Sequence, residues 1–433
     1  LVWECGRTFT REVGDCEQPA WTALMDDLAG RGAAADGLID GPMAEVLATR
    51  RLTDAGVRAL YYAWPVAAEK EGALVTAMLV GTKDGLRRVA ARRWVDATER
   101  GDMLRMCGAE SGPRKPEERY VYAGLQRPEW TEPESVQVEE DAELSPGLWP
   151  SRRDLCVHVG PDEQAPWRAI LPALRAAQET VRETAEGARL VYWGTEAFPI
   201  YGPGSAAHGP ANVAVASPGC SAVATASLAD RFELGVEAAE ETSEAPAAAS
   251  EIRDAPDHLP DSAFVETLKT DVLVAGLGTG GAIAAMTAGR QFESESGHVL
   301  GLEPVAMPGG TGTVGCISGY YFGVPGGLQR EVDERVLQCM QEFGDAMAMH
   351  PRFHPFAKAV VLDQMMREAG ADVRYGAMVW GVEQQDGIVH EVFARTQQGT
   401  VRIKAGACVD GTGDGDLCAA AGADFRLGRY GDR

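Results

Sequence analysis

The chain has 433 residues, of which 45% are hydrophobic and 24% charged, an ordinary composition for a globular protein of two or three domains. Its formal net charge of −24 argues against nucleic acids and anionic membranes as partners, because both are bound through basic surfaces. The sequence has no apolar run of about 18 residues that would predict a transmembrane helix, and nine cysteines without CxxC spacing indicate reduced thiols in a cytoplasmic protein.

The chain contains an internal repeat. Residues 43–109 align without a gap with residues 357–423, at a constant offset of 314 positions, and 18 of the 67 aligned positions are identical. The repeat includes the stretches VDATERGD (95–102) and VDGTGDGD (409–416). Agreement in one constant register indicates a duplicated unit.

Each copy predicts the same elements in the same order. A helix over 43–54 or 356–369 ends at Gly56 or Gly370, the usual left-handed residue after a helix. A strand follows, VRALYYA (57–63) in the first copy and DVRYGAM in the second, and then two strands around a polar turn. An apolar strand, an Asp-Gly-rich loop and an Ala-rich helix close each copy. Alternating strands and helices predict an α/β fold with a doubly wound parallel sheet.

A segment between the copies has the composition of a linker. ETSEAPAAASEIRDAPDHLPDS (241–262) is rich in alanine, proline, serine and acidic residues and shows no apolar period. We therefore predict a first unit over 1–245, a linker over 246–265 and a second unit over 266–433.

The strongest chemical signal is a GxGxxG motif in TDVLVAGLGTGGAIAAMTAGR (270–290), which follows an apolar strand and opens an Ala-rich helix. In such a motif the first glycine permits the tight turn, the second lets a pyrophosphate approach the backbone, and the third lets the helix pack on the strand. Amides at the helix N-terminus then bind the phosphates. The predicted cofactor contacts here are Gly276, Gly278, Thr279, Gly280 and Gly281.

A carboxylate follows at the distance expected for a dinucleotide site. The strand HVLGLEP ends at Glu303, 22 residues after Gly281. An acidic residue at this place accepts hydrogen bonds from the adenosine ribose. Strand, glycine turn, helix and acid together predict that the second unit binds a dinucleotide.

The loop alone does not distinguish NAD from FAD, since both use it. After Glu303 comes the glycine-rich stretch PVAMPGGTGTVGCISGYYFGVPGG, which suits a backbone that approaches a large ring system closely. The later VDGTGDGD offers another turn, in which Asp414 or Asp416 is placed to accept hydrogen bonds from ribityl hydroxyls.

Three stretches resemble successive signatures of the FAD-dependent oxidoreductase family: DVLVAGLGTGGAIAAMTAG, LEPVAMPGGTGTVGCISGYYFG and CVDGTGDGDLCAAAGADFRLGR. That family has a glutathione-reductase-type FAD domain and is related to the flavoprotein halves of fumarate reductase and succinate dehydrogenase. The resemblance covers about 270–433 and implies Rossmann-like FAD/NAD(P)-binding domains with a parallel sheet and a β-meander. It implies FAD as cofactor, with the pyrophosphate at Gly276–Gly281 and the ribose at Glu303. The further contacts that it implies are Gly309, Gly310, Thr311, Asp410, Gly413, Asp414 and Asp416.

The same resemblance implies that the first copy is a degenerate relative of the second. Its start, Leu1–Glu4, resembles LGLE at 300–303, but no glycine loop precedes it. Glu99 and Arg100 replace two residues of the flexible loop and bring bulk and a carboxylate to the place of a phosphate. Residues 212–241 resemble the last FAD segment of the family. They either complete the first unit, or part of them closes over the FAD of the second.

Flavin oxidation of a C–H bond usually needs a base for the accompanying proton. Tyr321 in the glycine-rich stretch and His354 in MHPRFHPF are the candidate catalytic residues. His350 and His354 have the spacing of metal ligands on a helix, but Pro351 and Pro355 interrupt helical continuity, and we expect no metal site.

The sequence therefore predicts an FAD-dependent oxidoreductase that oxidises a small organic substrate by hydride transfer to the flavin. The alternatives are a non-catalytic flavoprotein subunit used for assembly and an NAD-linked dehydrogenase. Because family members continue past this point with a last FAD-contacting segment, we expect a homo-oligomer or an additional chain segment to complete the FAD domain.

Overall fold

The computed structural model describes residues 13–109, 114–130, 134–161, 163–180, 187–243, 251–254, 259–292, 297–319, 326–348, 352–426 and 428. Its α-helices are α1 (Pro19–Ala29), α2 (Gly41–Asp54), α3 (Asp102–Met106), α4 (Ile170–Thr180), α5 (Leu228–Ser243), α6 (Thr279–Phe292), α7 (Gly327–Phe343), α8 (Pro355–Glu368) and α9 (Asp416–Ala420). None of these described helices is long and apolar enough to pass through a lipid bilayer.

The strands, in chain order, are β1 (Ala34–Ala35), β2 (Leu38–Ile39), β3 (Ala63–Glu71), β4 (Leu74–Thr82), β5 (Gly85–Ala90), β6 (Trp94–Asp96), β7 (Glu118–Gln126), β8 (Val136–Glu139), β9 (Ala142–Pro146), β10 (Arg152–His158), β11 (Arg189–Trp193), β12 (Phe198–Ile200), β13 (Val213–Val215), β14 (Glu251–Asp254), β15 (Phe264–Ala275), β16 (Val299–Glu303), β17 (Ala371–Tyr375), β18 (Met378–Gln385), β19 (Ile388–Thr396) and β20 (Gly399–Asp410).

The second unit is built on a six-stranded sheet in the order β17-β16-β15-β20-β19-β18. The first four strands are parallel, and β20, β19 and β18 form an antiparallel meander. Alternate residues of a strand face opposite sides. Val274 and Val299 accordingly pack into one core with helices α6 and α8, while Leu273 and Leu300 pack against the meander. This architecture confirms the predicted α/β fold, a Rossmann-like parallel sheet with a β-meander.

Helix α8 runs through this core with most of its residues buried. Phe356, Leu362 and Met365 are each at most 1% exposed. The helix begins after His354, whose Nδ1 accepts the N–H of Phe356 at 3.2 Å. It ends before Gly370, which has a φ of +79°. The predicted C-terminal glycine of this helix is confirmed.

Elements of the first unit recur in the second at the offset of the sequence repeat. Helix α2, strand β4 and helix α3 begin and end 314 positions before α8, β19 and α9. Strand β13, from the segment that resembles the last FAD segment, pairs in parallel with β6 of the first unit. A duplicated unit predicts that corresponding elements begin and end at the same offset. The loss of a cofactor from the first copy stays a prediction.

One predicted strand of the first unit does not form. Residues 57–62 lie outside every strand of the described chain, and Leu60 and Tyr61 are 50% and 65% exposed. In the second unit the corresponding residues form β17, which pairs with β16. The predicted counterpart of β16 in the first unit, Leu1–Glu4, lies outside the described residues. The prediction of a strand over 57–63 is therefore wrong for 57–62, and only Ala63 belongs to a strand, β3.

Two further segments differ from the sequence expectation. Strand β14 lies inside the predicted linker 246–265 and pairs antiparallel with β5. Strands β7 to β12 form a separate antiparallel sheet with helix α4 beside it. This sheet shares a core with the second unit, where Trp167 meets the ring of Phe356 edge-on at 6.2 Å. The region before residue 245 thus contains, besides one copy of the repeat, a separate antiparallel sheet.

Candidate functional site

The sequence GLGTGG forms a tight turn between strand β15 and helix α6. Gly276 has a φ of +82°, and a Cβ there would lie 2.7 Å from the backbone nitrogen of Thr412. A Cβ on Gly281 would lie 1.8 Å from the carbonyl oxygen of Gly276. At Gly278 the nearest atom to such a Cβ would be the carbonyl oxygen of Gly411, at 3.8 Å. The fold therefore requires glycine at 276 and 281, whereas Gly278 leaves open space at the start of the helix.

The first turn of helix α6 begins beside that space. The amides of Thr279, Gly280 and Gly281 begin the helix and have no carbonyl of a preceding turn to bond, while the Ala282 N–H already donates to the Gly278 carbonyl at 3.0 Å. Such an N-terminus attracts anions through its free amides and its dipole. The geometry suits a diphosphate.

Glu303 ends strand β16 next to the glycine turn. Its carboxylate is buried and accepts the N–H of Leu277 at 2.7 Å and that of Val305 at 3.3 Å. Burial raises the pKa of the Glu303 carboxyl to about 7, although both hydrogen bonds act to lower it. A buried acceptor beside a phosphate-binding turn is positioned to take the hydroxyls of a ribose.

A second glycine loop lies against the first. Gly309 and Gly310 have φ values of +98° and +52°, which favour glycine. The Gly309 N–H donates to the Leu277 carbonyl at 2.8 Å, and a parallel bridge joins Gly278 to Gly309. Thr311 follows in a short 3₁₀ turn. Backbone hydrogen bonding thus holds together two glycine-rich loops that are about 30 residues apart in the sequence.

The loop after strand β20 is organised by Asp410. Its Oδ1 accepts the amide of Thr412 at 3.0 Å and the Thr412 hydroxyl at 2.6 Å, and its Oδ2 accepts the amide of Cys418 at 2.8 Å. Burial raises the pKa of the Asp410 carboxyl, but these hydrogen bonds outweigh it and hold the pKa below its usual value. Asp410 therefore shapes the loop, and its contact with FAD stays a prediction.

A cavity of about 280 Å³ lies where these three loops meet. Eight of the thirteen predicted cofactor residues line it: Gly276, Gly278, Thr279, Glu303, Gly310, Thr311, Gly413 and Asp416. The other five, which are Gly280, Gly281, Gly309, Asp410 and Asp414, lie in the same loops but do not line it.

Comparison of the chain with models of known families finds a match that includes these loops. The model described as FAD dependent oxidoreductase matches residues 6–139 and 271–433, which is more than half of the chain. The chain belongs to the FAD-dependent oxidoreductase family. Its cofactor is FAD, and the protein is a flavoprotein oxidoreductase by family.

Similar solved structures cover only part of this flavoprotein. A geranylgeranyl bacteriochlorophyll reductase-like protein from Thermoplasma acidophilum has 19% identity over 34% of this chain and 40% of its own, with a TM-score of 0.25. L-proline dehydrogenase from P. horikoshii has 15% identity over 37% of this chain and 58% of its own, with a TM-score of 0.27. Quinol fumarate reductase FrdA from E. coli has 16% identity over 34% of this chain and 33% of its own, with a TM-score of 0.24. This chain therefore spans less than two thirds of each of them. No curated protein sequence matches the chain.

The residues present fit FAD. The space beside Gly278 is open, helix α6 begins next to it, and Glu303 is placed to accept hydrogen bonds from ribose hydroxyls. The paired loop at Gly309 and Gly310 lets the backbone approach a ring system, as the sequence predicts. The individual contacts to FAD stay predictions.

The loop 95–102 of the first unit has the same backbone hydrogen bonds as the loop after β20, but different side chains surround it. Asp96 accepts the amides of Thr98 at 3.1 Å and Leu104 at 2.9 Å, as Asp410 does in its own loop. Glu99, however, pairs with Arg231 at 2.7 Å. The cavity at this loop, about 640 Å³, is lined by charged side chains that include those of Glu99 and Arg100. No counterpart of the GLGTGG turn occurs in the described residues of the first unit.

Of the two candidate catalytic residues, His354 does not line the FAD cavity. His354 is 3% exposed, and its Nε2 lies 3.0 Å from the Leu190 carbonyl, while Nδ1 caps helix α8. Burial lowers the pKa of His354, so the ring is neutral and its two nitrogens are engaged in structural hydrogen bonds. Tyr321 and His350 lie outside the described residues. The catalytic role of Tyr321 stays a prediction, and the buried position of His354 adds no support for a catalytic role of that histidine.

Sequence reasoning missed Lys358, a buried cation behind the second glycine loop. Its side chain is 2% exposed, and a Cβ on Gly312 would lie 2.8 Å from the Lys358 Nζ. The Nζ also lies 4.5 Å from the ring centroid of Phe353. Burial lowers the pKa of Lys358 to about 8. Only the folded chain shows this placement, because a lysine near a helix start is ordinarily a solvated residue.

Proposed function

We propose that the protein oxidises a small organic substrate by hydride transfer to FAD bound in the second unit. The observation that supports this proposal is the meeting of the GLGTGG turn, Glu303 and the Gly309–Thr311 loop around one cavity. FAD, when bound, supplies the hydride acceptor, and the protein supplies binding, orientation and electrostatics.

In this proposal each part of the site has a separate task. The amides at the start of helix α6 hold the diphosphate, and Glu303 fixes the ribose. The backbone at Gly309–Thr311 approaches the ring system without side chains in between. Lys358 places a positive charge behind that loop, on the side of Gly312, and raises the local electrostatic potential there. The substrate is proposed by class alone, as a small organic molecule with a C–H bond that a flavin can oxidise.

An absorption spectrum followed by anaerobic substrate addition tests the proposal. We expect the purified protein to show a flavin band at about 450 nm. We also expect a member of a panel of alcohols, amines, amino acids and hydroxy acids to bleach this band. A spectrum without flavin, with NAD bound instead, would contradict the cofactor assignment. A flavin band that dithionite reduces but no panel member bleaches would favour the non-catalytic flavoprotein over the enzyme.

A further inference from the structure

Two residues of the first unit line the FAD cavity of the second. Tyr62 lies immediately before strand β3, and Lys83 lies in the turn between β4 and β5. Both border the same cavity as Gly276, Gly278 and Glu303. The first unit therefore forms part of the wall of a site whose sequence motifs all belong to the second.

Lys83 is fixed there by two carboxylates of the β20 loop. Its Nζ bonds to Asp414 and lies 3.4 Å from the carboxylate of Asp416. Burial alone would lower the pKa of Lys83, but these two carboxylates outweigh it and raise the pKa above its usual value. The side chain is thus a permanent cation at the cavity. It offsets negative charge that would otherwise repel a dinucleotide.

Tyr62 holds a backbone conformation that is costly for its residue type. Its φ is +52°, whereas the counterpart in the repeat, Gly376, is a glycine with a φ of +63°. Non-glycine residues pay of order 1 kcal/mol or more in this region, and such strain concentrates at functional sites. The ring is also 62% exposed and lies 5.7 Å from the Lys83 Nζ. Packing against the rest of the protein does not explain why a tyrosine occupies this strained position.

The rest of the cavity indicates which half of FAD the ring meets. With the diphosphate at Gly278 and the ribose at Glu303, the base lies beyond the ribose. The cavity residues around Glu303 are apolar, namely Leu302, Pro304, Ala377, Met378 and Val379. A volume of about 280 Å³ lies just below the range of about 300–1,000 Å³ for small-molecule sites, which fits part of a dinucleotide.

We propose that Tyr62 and Lys83 cap the adenosine half of FAD, with the Tyr62 ring stacked on the adenine base. Lys83 holds the cap to the β20 loop and supplies positive charge beside the ligand. The inference rests on the placement of FAD at the GLGTGG turn proposed above. It gives the first unit a role in a site to which it contributes no sequence motif.

Binding of FAD and of ADP to the protein freed of flavin tests the cap. Base–aromatic stacking predicts that Tyr62→Ala raises the dissociation constants of FAD and ADP alike, by about tenfold. Tyr62→Phe keeps the ring and is expected to bind both within about twofold of the native protein. Tyr61→Ala removes a neighbouring tyrosine that is 65% exposed and does not line the cavity, and it is expected to change neither constant. Calorimetric titration gives both constants, and circular dichroism verifies that each variant is folded.

The outcomes separate the cap from the site itself. Unchanged FAD and ADP binding by folded Tyr62→Ala overturns the cap, and weakened FAD binding with unchanged ADP binding places the ring elsewhere and also overturns it. Failure of the native protein to bind FAD or ADP would instead contradict the FAD site.

The charge at position 83 has its own test. Lys83→Met is expected to weaken FAD and ADP binding several-fold at low salt and less at high salt, because the lost interaction is screened. The matched change Lys269→Met, at an exposed lysine of strand β15 outside the cavity, is expected to have no effect. Equal effects of the two variants would overturn the role of Lys83.

Discussion

At the scale of single residues, the three glycines of the GxGxxG motif differ in what surrounds them. A methyl group at Gly278 meets only the Gly411 carbonyl oxygen, at an ordinary 3.8 Å, so it restricts a ligand more than the fold. We expect Gly278→Ala to keep the melting temperature and to raise the dissociation constant of FAD at least about tenfold. Thermal unfolding and flavin titration measure the two quantities.

The control for that substitution is Gly281→Ala. Its Cβ would lie 1.8 Å from the Gly276 carbonyl oxygen, which the fold cannot accommodate without moving the helix. The free energy of unfolding is expected to fall by about 3 kcal/mol or more. Full flavin content in folded Gly278→Ala would contradict the assignment of the phosphate to this turn.

Glu303 makes FAD binding depend on pH. Its pKa of about 7 in the empty site means that the carboxyl is protonated below pH 7 and ionised above it. Ribose hydroxyls donate to the ionised form, so binding at low pH must first displace a proton. The dissociation constant should therefore rise by up to about tenfold for each unit of pH below 7 and level off above about pH 8.

Glu303→Gln removes the titrating group while keeping the shape of the side chain. Its FAD affinity should be weaker than that of the native protein at pH 8 and nearly independent of pH between 5.5 and 8.5. A slope in this variant equal to the native slope would assign the pH dependence to another group.

At the scale of elements, the two Asp-Gly loops provide a matched pair. Asp96 and Asp410 each bond the backbone of their own loop, through Thr98 and Leu104 or through Thr412 and Cys418. We expect Asp96→Asn and Asp410→Asn to lower the free energy of unfolding by similar amounts, about 2 kcal/mol, because each turns an acceptor oxygen into a donor amide.

Only one of the two substitutions should affect the cofactor. Asp410→Asn loosens a loop that borders the FAD cavity and is expected to reduce flavin content, whereas Asp96→Asn should leave the ratio of flavin to folded protein unchanged. Loss of flavin from folded Asp96→Asn would mean that the loop 95–102 of the first unit also supports cofactor binding.

The elements also show what local sequence can predict. The glycine turn, its following helix and Glu303 were predictable because each depends on neighbours along the chain. The absence of a strand over 57–62 was not, because a strand forms only with a partner strand that sequence alone cannot place. His354 and Lys358 likewise became buried through helix α8, whose surroundings include the distant strand β11, as the Leu190 carbonyl contact shows. Long-range packing decides these cases.

At the scale of the whole molecule, contacts between the two units recur at related places. Lys83, in a hairpin of the first unit, bonds to Asp414 in the loop of the second. Arg395, next to the corresponding hairpin turn of the second unit, bonds to Asp102 in the loop of the first. Each unit thus places a cation at the acidic loop of the other. This reciprocal arrangement explains how the first unit takes part in the FAD cavity of the second.

The core shared by the sheet β7–β12 and the second unit leads to a prediction about how cooperatively the protein unfolds. Asp363 of helix α8 is buried and accepts hydrogen bonds from Arg168, which precedes α4, at 2.8 Å and from Tyr375 at 2.7 Å. Asp363→Ala leaves Arg168 without this partner and is expected to cost about 3–5 kcal/mol. The partly exposed ion pair of Asp372 with Arg374, at 3.6 Å, is the control, and Asp372→Ala should cost less than about 1 kcal/mol.

The shape of the unfolding curve decides whether the units are independent. Residues on both sides of the predicted linker share one core with the sheet β7–β12, so calorimetry should show one transition. Asp363→Ala should shift that whole transition down by about 5 °C. Two transitions, of which only one moves in Asp363→Ala, would show that residues before 245 fold separately. The cap formed by Tyr62 and Lys83 would then depend on a docking equilibrium between units instead of on a common core.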